Sequence, residues 1–282
     1  MNKFKQIMVG FAFFLAALLL FGGLFSLLIP KSASEISHKD IATTKAKSFN
    51  YVAIGDSLTQ GVGDSTNQGG FVPLLSQDLT DKYHYDVHYS NYGVSGNTSN
   101  QILKRMQEQT DIQEALAKAN LMTLTVGGND VMAVIRKNLA NLSVSSFTES
   151  SKDYQKRLRQ IIDLARTDNP NLPIYILGIY NPFYLNFPDM TEMQDIVDNW
   201  NTATEDVTKE YDKVYFVPIN DLLYKGVNGE EGIVSTSGDQ TTVINDALFS
   251  GDHFHPNNIG YQIMSDAVME KISETKKDWT KN

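Results

Sequence analysis

From Phe49 onward the chain alternates short apolar runs with stretches of helical periodicity. This alternation restricts the fold more than any other feature of its 282 residues. The apolar runs are Tyr51–Ile54, Val87–Asn91, Leu121–Val126, Ile174–Leu177 and Val214–Val217. Between them Tyr154, Leu158, Ile161, Ile162 and Ala165 recur at three- and four-residue spacing, as do Met193, Ile196, Val197, Trp200, Ala203 and Val207. A last helix is expected after Pro256, with Ile259, Ile263, Ala267, Val268 and Ile272 turned inward. Strands separated by crossover helices re-enter the sheet in the same direction. The expected fold is therefore α/β, a mainly parallel central sheet with helices on both faces. It occupies one domain over residues 49–275, followed by a polar tail at 276–282. Ligands of such sheets sit beyond the carboxyl ends of the strands.

Four turns at those ends carry candidate chemistry. Gly55-Asp56-Ser57-Leu58-Thr59-Gln60-Gly61 follows the first run. A serine at a strand-to-helix turn can lift its hydroxyl above the sheet, and Gly55 permits a tight approach. The plainer reading is a polar turn with Asp56 or Ser57 as helix cap. Asp252-His253-Phe254-His255-Pro256 precedes the last helix. A serine hydroxyl is a weak nucleophile until a base removes its proton. His255 suits that task, and Asp252, three residues earlier, can fix its tautomer. The same Asp252, His253 and His255 could instead hold a metal, or a histidine here could be solvated, the fate expected of His38, His84 and His88. Asn91-Tyr92-Gly93-Val94-Ser95-Gly96-Asn97 follows the second run, and Gly127-Gly128-Asn129-Asp130 the third. Gly96 can offer a backbone N–H without crowding and Asn129 a side-chain amide, which is what a developing oxyanion needs. Each turn alone is weak, since Gly and Asn populate turns for backbone reasons. Four of them at predicted strand ends form a pattern.

Taken together, Ser57 in GDSLTQG, Gly96 in NYGVSGN, Asn129 in GGND, and Asp252 with His255 in DHFHP resemble the four blocks of the SGNH hydrolase (GDSL lipase/esterase) family. Order and spacing agree from about Asn50 to Ile272. The resemblance implies a flavodoxin-like three-layer α/β/α sandwich with strand order 2-1-3-4-5. It implies Ser57 as nucleophile, His255 as base and acid, and Asp252 as its orienter. The oxyanion donors would be the N–H groups of Ser57 and Gly96 with the Asn129 side chain, supported by Gly55, Asp56 and Asp130. His253 departs from the pattern, standing where a small or apolar residue is usual.

Composition narrows the rivals. The chain has no cysteine, which removes disulfides, thiolate metal sites and cysteine nucleophiles. An excess of 33 acidic over 24 basic residues argues against a nucleic-acid binder. The glycine-rich stretch after Ser57 lacks the lysine of a phosphate-binding loop, and from Ser48 to Asp81 there is no Lys or Arg, so no nucleotide partner is expected. The expected activity is a serine ester hydrolase of lipase or lysophospholipase type, with no metal or organic cofactor. An O-acetyl esterase acting on cell-wall or capsular glycan fits the same residues, and a non-catalytic surface binding domain is the remote alternative. The aromatic loop with Tyr180, Phe183 and Tyr184 could touch substrate, as could His253, or the loop could simply pack. Residues 225–251 are long for a connection, as lids often are.

The N-terminal end is of another kind. Ile7 to Ile29 is a run of 23 residues without a charge. As a helix it would reach roughly 34 Å, enough for a hydrocarbon core of about 30 Å. The expectation is a cytoplasmic stub at 1–6, a transmembrane signal anchor at 7–29 and a tether at 30–48. Cleavage near Ser34, giving a secreted protein, is the alternative. Lysines flank the run on both sides, so charge does not decide orientation. A catalytic domain outside the cell membrane is favoured, because long domains translocate largely regardless of charge. Residues 1–31 hold three lysines and no acid, so the remainder carries 21 bases against 33 acids.

Overall fold

The computed structural model describes residues 3–28, 46–138, 142–185, 191–230, 234–237 and 240–280. The chain divides into two units, Met1–Lys45 and Ala46–Asn282. The first contains helix α1, Lys3–Leu28. The apolar run falls on this helix, whose described side chains are Lys5, Met8 and residues 11–21. Among the described residues no helix is long and apolar enough to cross a membrane. The anchor expected at 7–29 is thus only partly covered, and most of the tether lies outside the described residues.

The second unit opens with β1 (Lys47–Gly55), α2 (Ser57–Gln60), α3 (Phe71–Tyr83) and β2 (Tyr85–Gly93). It continues through α4 (Ser99–Glu108), α5 (Thr110–Ala117), β3 (Leu121–Thr125), α6 (Gly128–Lys137) and α7 (Thr148–Ala165). Then come β4 (Ile174–Leu177), α8 (Thr191–Thr208), β5 (Val214–Val217) and α9 (Asn220–Leu223). A small ribbon, β6 (Val234–Ser237) and β7 (Gln240–Val243), precedes the last helix, α10 (Asn258–Trp279).

Five strands form one sheet in the order β2-β1-β3-β4-β5, with every pairing parallel. This is the expected three-layer arrangement. Successive strand residues face opposite sides of a sheet, so a strand buried on both faces is apolar throughout. β1 illustrates it: Val52 and Ile54 enter one core with Ile102, Met106, Leu158, Ile162 and Trp200. Tyr51 and Ala53 enter the other, with Phe71, Leu75, Tyr261 and Val268.

Three details depart from expectation. The β1–β2 pairing extends from Lys47↔Tyr85 to Gly55↔Gly93, further than hydrophobicity suggests, because backbone pairing continues through polar residues on the edge strand. On α10, Ile259 is exposed, while the buried stripe of Gly260, Tyr261, Met264, Ser265, Ala267, Val268, Met269 and Ile272 includes the expected Ala267, Val268 and Ile272. Gly260 is pressed against the Ala247 carbonyl, where a Cβ would stand 2.3 Å from the oxygen, and this turns Ile259 outward. Residues 276–279 are helix rather than tail, with the Trp279 indole N–H donating to the Tyr175 hydroxyl at 2.9 Å.

One register detail positions everything that follows. Gly55 stands opposite Gly93 on β2 and opposite Thr125 on β3. The turns after these strands therefore leave the sheet side by side.

Candidate active site

The first turn is held from below. Asp56 caps the short helix α2, its Oδ1 accepting from the Leu58 N–H at 3.1 Å and from the Thr125 hydroxyl at 2.8 Å. The Thr59 and Thr125 hydroxyls lie 2.8 Å apart. Gly55 sits between them: a Cβ there would stand 2.2 Å from the Thr125 hydroxyl and 2.4 Å from that of Thr59. Burial pushes the Asp56 carboxyl up to about 6, against the opposing hydrogen bonds of Thr125 and Leu58. Asp56 is thus the cap anticipated for this turn. Ser57, the first residue of α2, is left to face the site.

The candidate base arrives from the loop before α10. His255 Nε2 lies 2.9 Å from Ser57 Oγ, and His255 Nδ1 lies 2.6 Å from Asp252 Oδ2. The other carboxylate oxygen of Asp252 accepts the backbone N–H groups of Phe254 and His255 at 2.9 and 3.0 Å. Burial acts to raise the Asp252 carboxyl, but the hydrogen bonds from the His255 ring and from these two amides outweigh it and hold it below its ordinary value. The loop is braced: the Phe249 N–H donates to the His255 carbonyl at 2.7 Å, and the His253 N–H to the Phe249 carbonyl at 2.8 Å. The Tyr180 hydroxyl donates to the Phe254 carbonyl at 2.6 Å. Asn257 caps α10, its side-chain oxygen accepting from Ile259 and Gly260.

The two remaining turns meet each other. Gly96 has a left-handed backbone, φ +78°, and open space where a side chain would be. Its neighbour Asn97 accepts, at the backbone carbonyl, the Asn129 amide at 3.0 Å. Asp130 anchors both turns. Its carboxylate accepts the Ser99 N–H at 2.8 Å and the Ser99 hydroxyl at 2.6 Å, with Arg157 3.3 Å away.

Ser57 and Asn129 line a common cleft with Val126, Ile179, Tyr180 and Phe254. It is narrow, about 40 Å³ on a measure by which one water needs about 10–15 Å³. Of the candidate contact residues, Tyr180 is in the wall. Phe183 stands beside Phe254 with ring centres 6.0 Å apart, and Tyr184 packs edge-on against Tyr224 at 4.8 Å. His253 is exposed, with a left-handed backbone at φ +52°. The end of this aromatic loop, 186–190, lies outside the described residues. In the 225–251 connection, the β6–β7 ribbon follows a base tied down by Val227 N–H to Asp246 and by the Asn245 amide to the Leu223 carbonyl.

Sequence reasoning missed Thr125, which also lines the cleft, and Ser99 and Arg157; their hydrogen bonds go to Asp56 and Asp130. Their spacing from those residues, 69, 31 and 27 positions, leaves no local signal.

The arrangement has known relatives. The model of the GDSL-like lipase/acylhydrolase family matches residues 53–263. The uncharacterized protein YpmR of Bacillus subtilis is 29% identical over 244 residues, 86% of this chain and 89% of YpmR. The spore germination lipase LipC of Bacillus licheniformis is 25% identical over 226 residues, 78% of this chain and 94% of LipC. The crystal structure of the lipase Lip_vut3 from a goat rumen metagenome superposes with a TM-score of 0.63 at 22% identity, covering 79% of this chain and 97% of the lipase. The chain belongs to the GDSL-like lipase/acylhydrolase family and is an ester-bond hydrolase.

Proposed function

We propose that the protein is a membrane-anchored serine ester hydrolase whose catalytic domain lies outside the cytoplasm, working through a Ser57–His255–Asp252 triad. The observation that carries the triad is the unbroken chain of short contacts, 2.9 Å from Ser57 Oγ to His255 Nε2 and 2.6 Å from Nδ1 to Asp252. Ser57 Oγ attacks the ester carbonyl carbon while its proton passes to Nε2 of His255. The carbonyl electron pair moves to oxygen, and that oxyanion accepts from the N–H groups of Ser57 and Gly96 and from the Asn129 amide. Collapse breaks the ester C–O bond, and the imidazolium returns its proton to the departing alkoxide. A water then repeats the sequence on the acyl-serine, releasing the acid and restoring the Ser57 hydroxyl. Asp252 holds the ring orientation and stabilises the imidazolium throughout.

The substrate is an acyl ester, lipid or glycan. The apolar wall of Val126, Ile179 and Phe254 suits the hydrocarbon of a lysophospholipase-type substrate. The narrowness of the same cleft favours the second reading, an O-acetyl ester of a cell-wall or capsular glycan. Labelling by a fluorophosphonate probe tests the triad. It is expected in the wild type and lost in Ser57→Ala, and folded wild-type protein that takes no label refutes it. Initial rates on esters of rising acyl length, beside acetate release from acetylated glycan, separate the two substrates.

The uncharged run Ile7 to Ile29 supports the anchor. Membranes washed with alkaline carbonate should retain the protein, and external protease should digest it in intact cells. Release into the wash would favour cleavage near Ser34.

A further inference from the structure

Behind the site, on α4, stands one cation that belongs to none of the four motif turns. The start of α4 is fixed by a capping box in which Thr98 and Gln101 satisfy each other's end groups. This places Arg105 nearly two turns in, half-buried against the sheet edge. Its Nε donates to the Asn97 side-chain oxygen at 2.8 Å. Its Nη2 donates to the Gly55 carbonyl at 3.1 Å, and both Nη1 and Nη2 donate to the Tyr92 carbonyl at 3.2 Å.

Each acceptor leads directly into the candidate machinery. Gly55 lies two residues before Ser57. Tyr92 precedes the Gly93 at which β2 ends. Asn97 follows Gly96 and, through its carbonyl, holds the Asn129 amide. The Gly55 carbonyl also accepts the Val94 N–H at 3.1 Å, so the nucleophile turn and the Gly96 turn already touch at the point Arg105 grips.

We infer that Arg105 is a positioning residue, a clamp that sets the nucleophile turn against the oxyanion-donating turns; the inference rests on the triad reading above. A planar guanidinium with five donors can bond three chain segments at once, and its charge shortens and strengthens each bond. All three acceptors are carbonyl or amide oxygens, so no carboxylate among them competes for the charge. Burial lowers the guanidinium's pKa from its ordinary value without removing its charge at neutral pH. Sequence gives no hint of this role, because an arginine on an amphipathic helix reads as solvated. Acyl transfer needs its donors where charge develops, and a misplacement of about 1 Å costs on the order of 100-fold in rate. Asp130 braces the oxyanion turns only, through Ser99 and Arg157, whereas Arg105 alone among these braces also reaches the nucleophile strand.

The test uses the full-length protein, Arg105→Met and Arg105→Lys, with p-nitrophenyl acetate as substrate and a fluorophosphonate burst to count active sites. Arg105→Met should lower kcat per titrated site by about 10- to 100-fold while KM moves by no more than about threefold. Arg105→Lys, with a point charge that reaches fewer acceptors, should fall between the two. A purely structural role would lower the number of titratable sites or the thermal midpoint and leave kcat per site unchanged, and that result in Arg105→Met would overturn the clamp. Should Arg105→Met fail to fold, Asn97→Ala removes only the acceptor of Nε. It should lower kcat per site by about 3- to 10-fold, and an unchanged rate would overturn the proposal. A wild type that takes no label would overturn the triad itself. A labelled wild type beside an unaffected Arg105→Met would overturn the clamp alone.

Discussion

Replacing Asp56 by asparagine offers a clean test of the electrostatics under Ser57. Asp56 is 4% exposed, and burial lifts its carboxyl from an ordinary 3.8 to about 6. A shift of roughly two units corresponds to about 3 kcal/mol between the two protonation states. Because the folded-state value is raised, the associated stability is fully present below pH 3.8 and is lost as pH rises through about 6. Asparagine has nearly the same shape, and the oxygen that accepts from Leu58 and Thr125 is a single atom, Oδ1, which an amide carbonyl can replace. Urea unfolding of wild type and Asp56→Asn at a series of pH values from 4 to 8 gives a difference curve in which titrations not coupled to Asp56 cancel. The variant should gain on the wild type by up to about 3 kcal/mol between the two ends, mostly between pH 4 and 7. A difference that stays flat over this range would refute the argument, because the carboxylate would then be no more costly folded than unfolded.

Other expectations concern the scaffold. Gly93→Ala would put a Cβ 2.1 Å from the Gln60 nitrogen and 2.5 Å from the Thr59 carbonyl carbon, backbone atoms that cannot step aside. Soluble yield should collapse, whereas Gly96→Ala, with open space but a left-handed backbone, should cost only about 1 kcal/mol in chemical denaturation. Tyr180→Phe strands the Phe254 carbonyl and should destabilise by about 1–3 kcal/mol, with a fall in kcat because that carbonyl belongs to the His255 loop. Asp64 collects the backbone N–H groups of Thr66, Gln68, Gly69 and Gly70 and the Asn258 amide. Burial acts to raise its carboxyl, but the hydrogen bonds of Thr66, Gly70 and Gln68 prevail and hold it well below the carboxylate range. Its stabilisation is therefore present above the ordinary aspartate value and lost as pH falls. The wild-type melting temperature should drop on acidification more steeply than that of Asp64→Asn.

What could be read from the sequence follows a physical division. The strands Ile174–Leu177 and Val214–Val217 are legible to the residue because every position is apolar or aromatic, fully buried in the first and buried or half-buried in the second. The polar beginning of β1 is not, since Lys47 and Ser48 join the sheet through backbone bonds that carry no side-chain signature. The meeting of Ser57 with His255 and Asp252 was legible because acyl-transfer chemistry demands those residue types at strand ends. The parts that hold them were not. Thr125, Ser99, Arg157 and Arg105 act through hydrogen bonds between distant segments, and any polar residue at those positions looks the same in one dimension. On α10 only the first expected inward residue, Ile259, is turned out, because Gly260, without a side chain, is the residue pressed against Ala247; Ala267, Val268 and Ile272 are buried as expected.

The serine and its histidine are separated by 198 positions. A ribosome delivers the Ser57 turn, the Gly96 turn and Asn129 long before it delivers Asp252 and His255. On the triad proposed above, each new chain is chemically silent through most of its synthesis, since the hydroxyl has no base to take its proton. If the chain is threaded across a membrane from its N-terminal end, activity switches on only after nearly the whole domain has crossed and α10 has closed over the sheet. On that reading the order of the motifs along the chain works as a timer, and hydrolysis waits until the domain has folded.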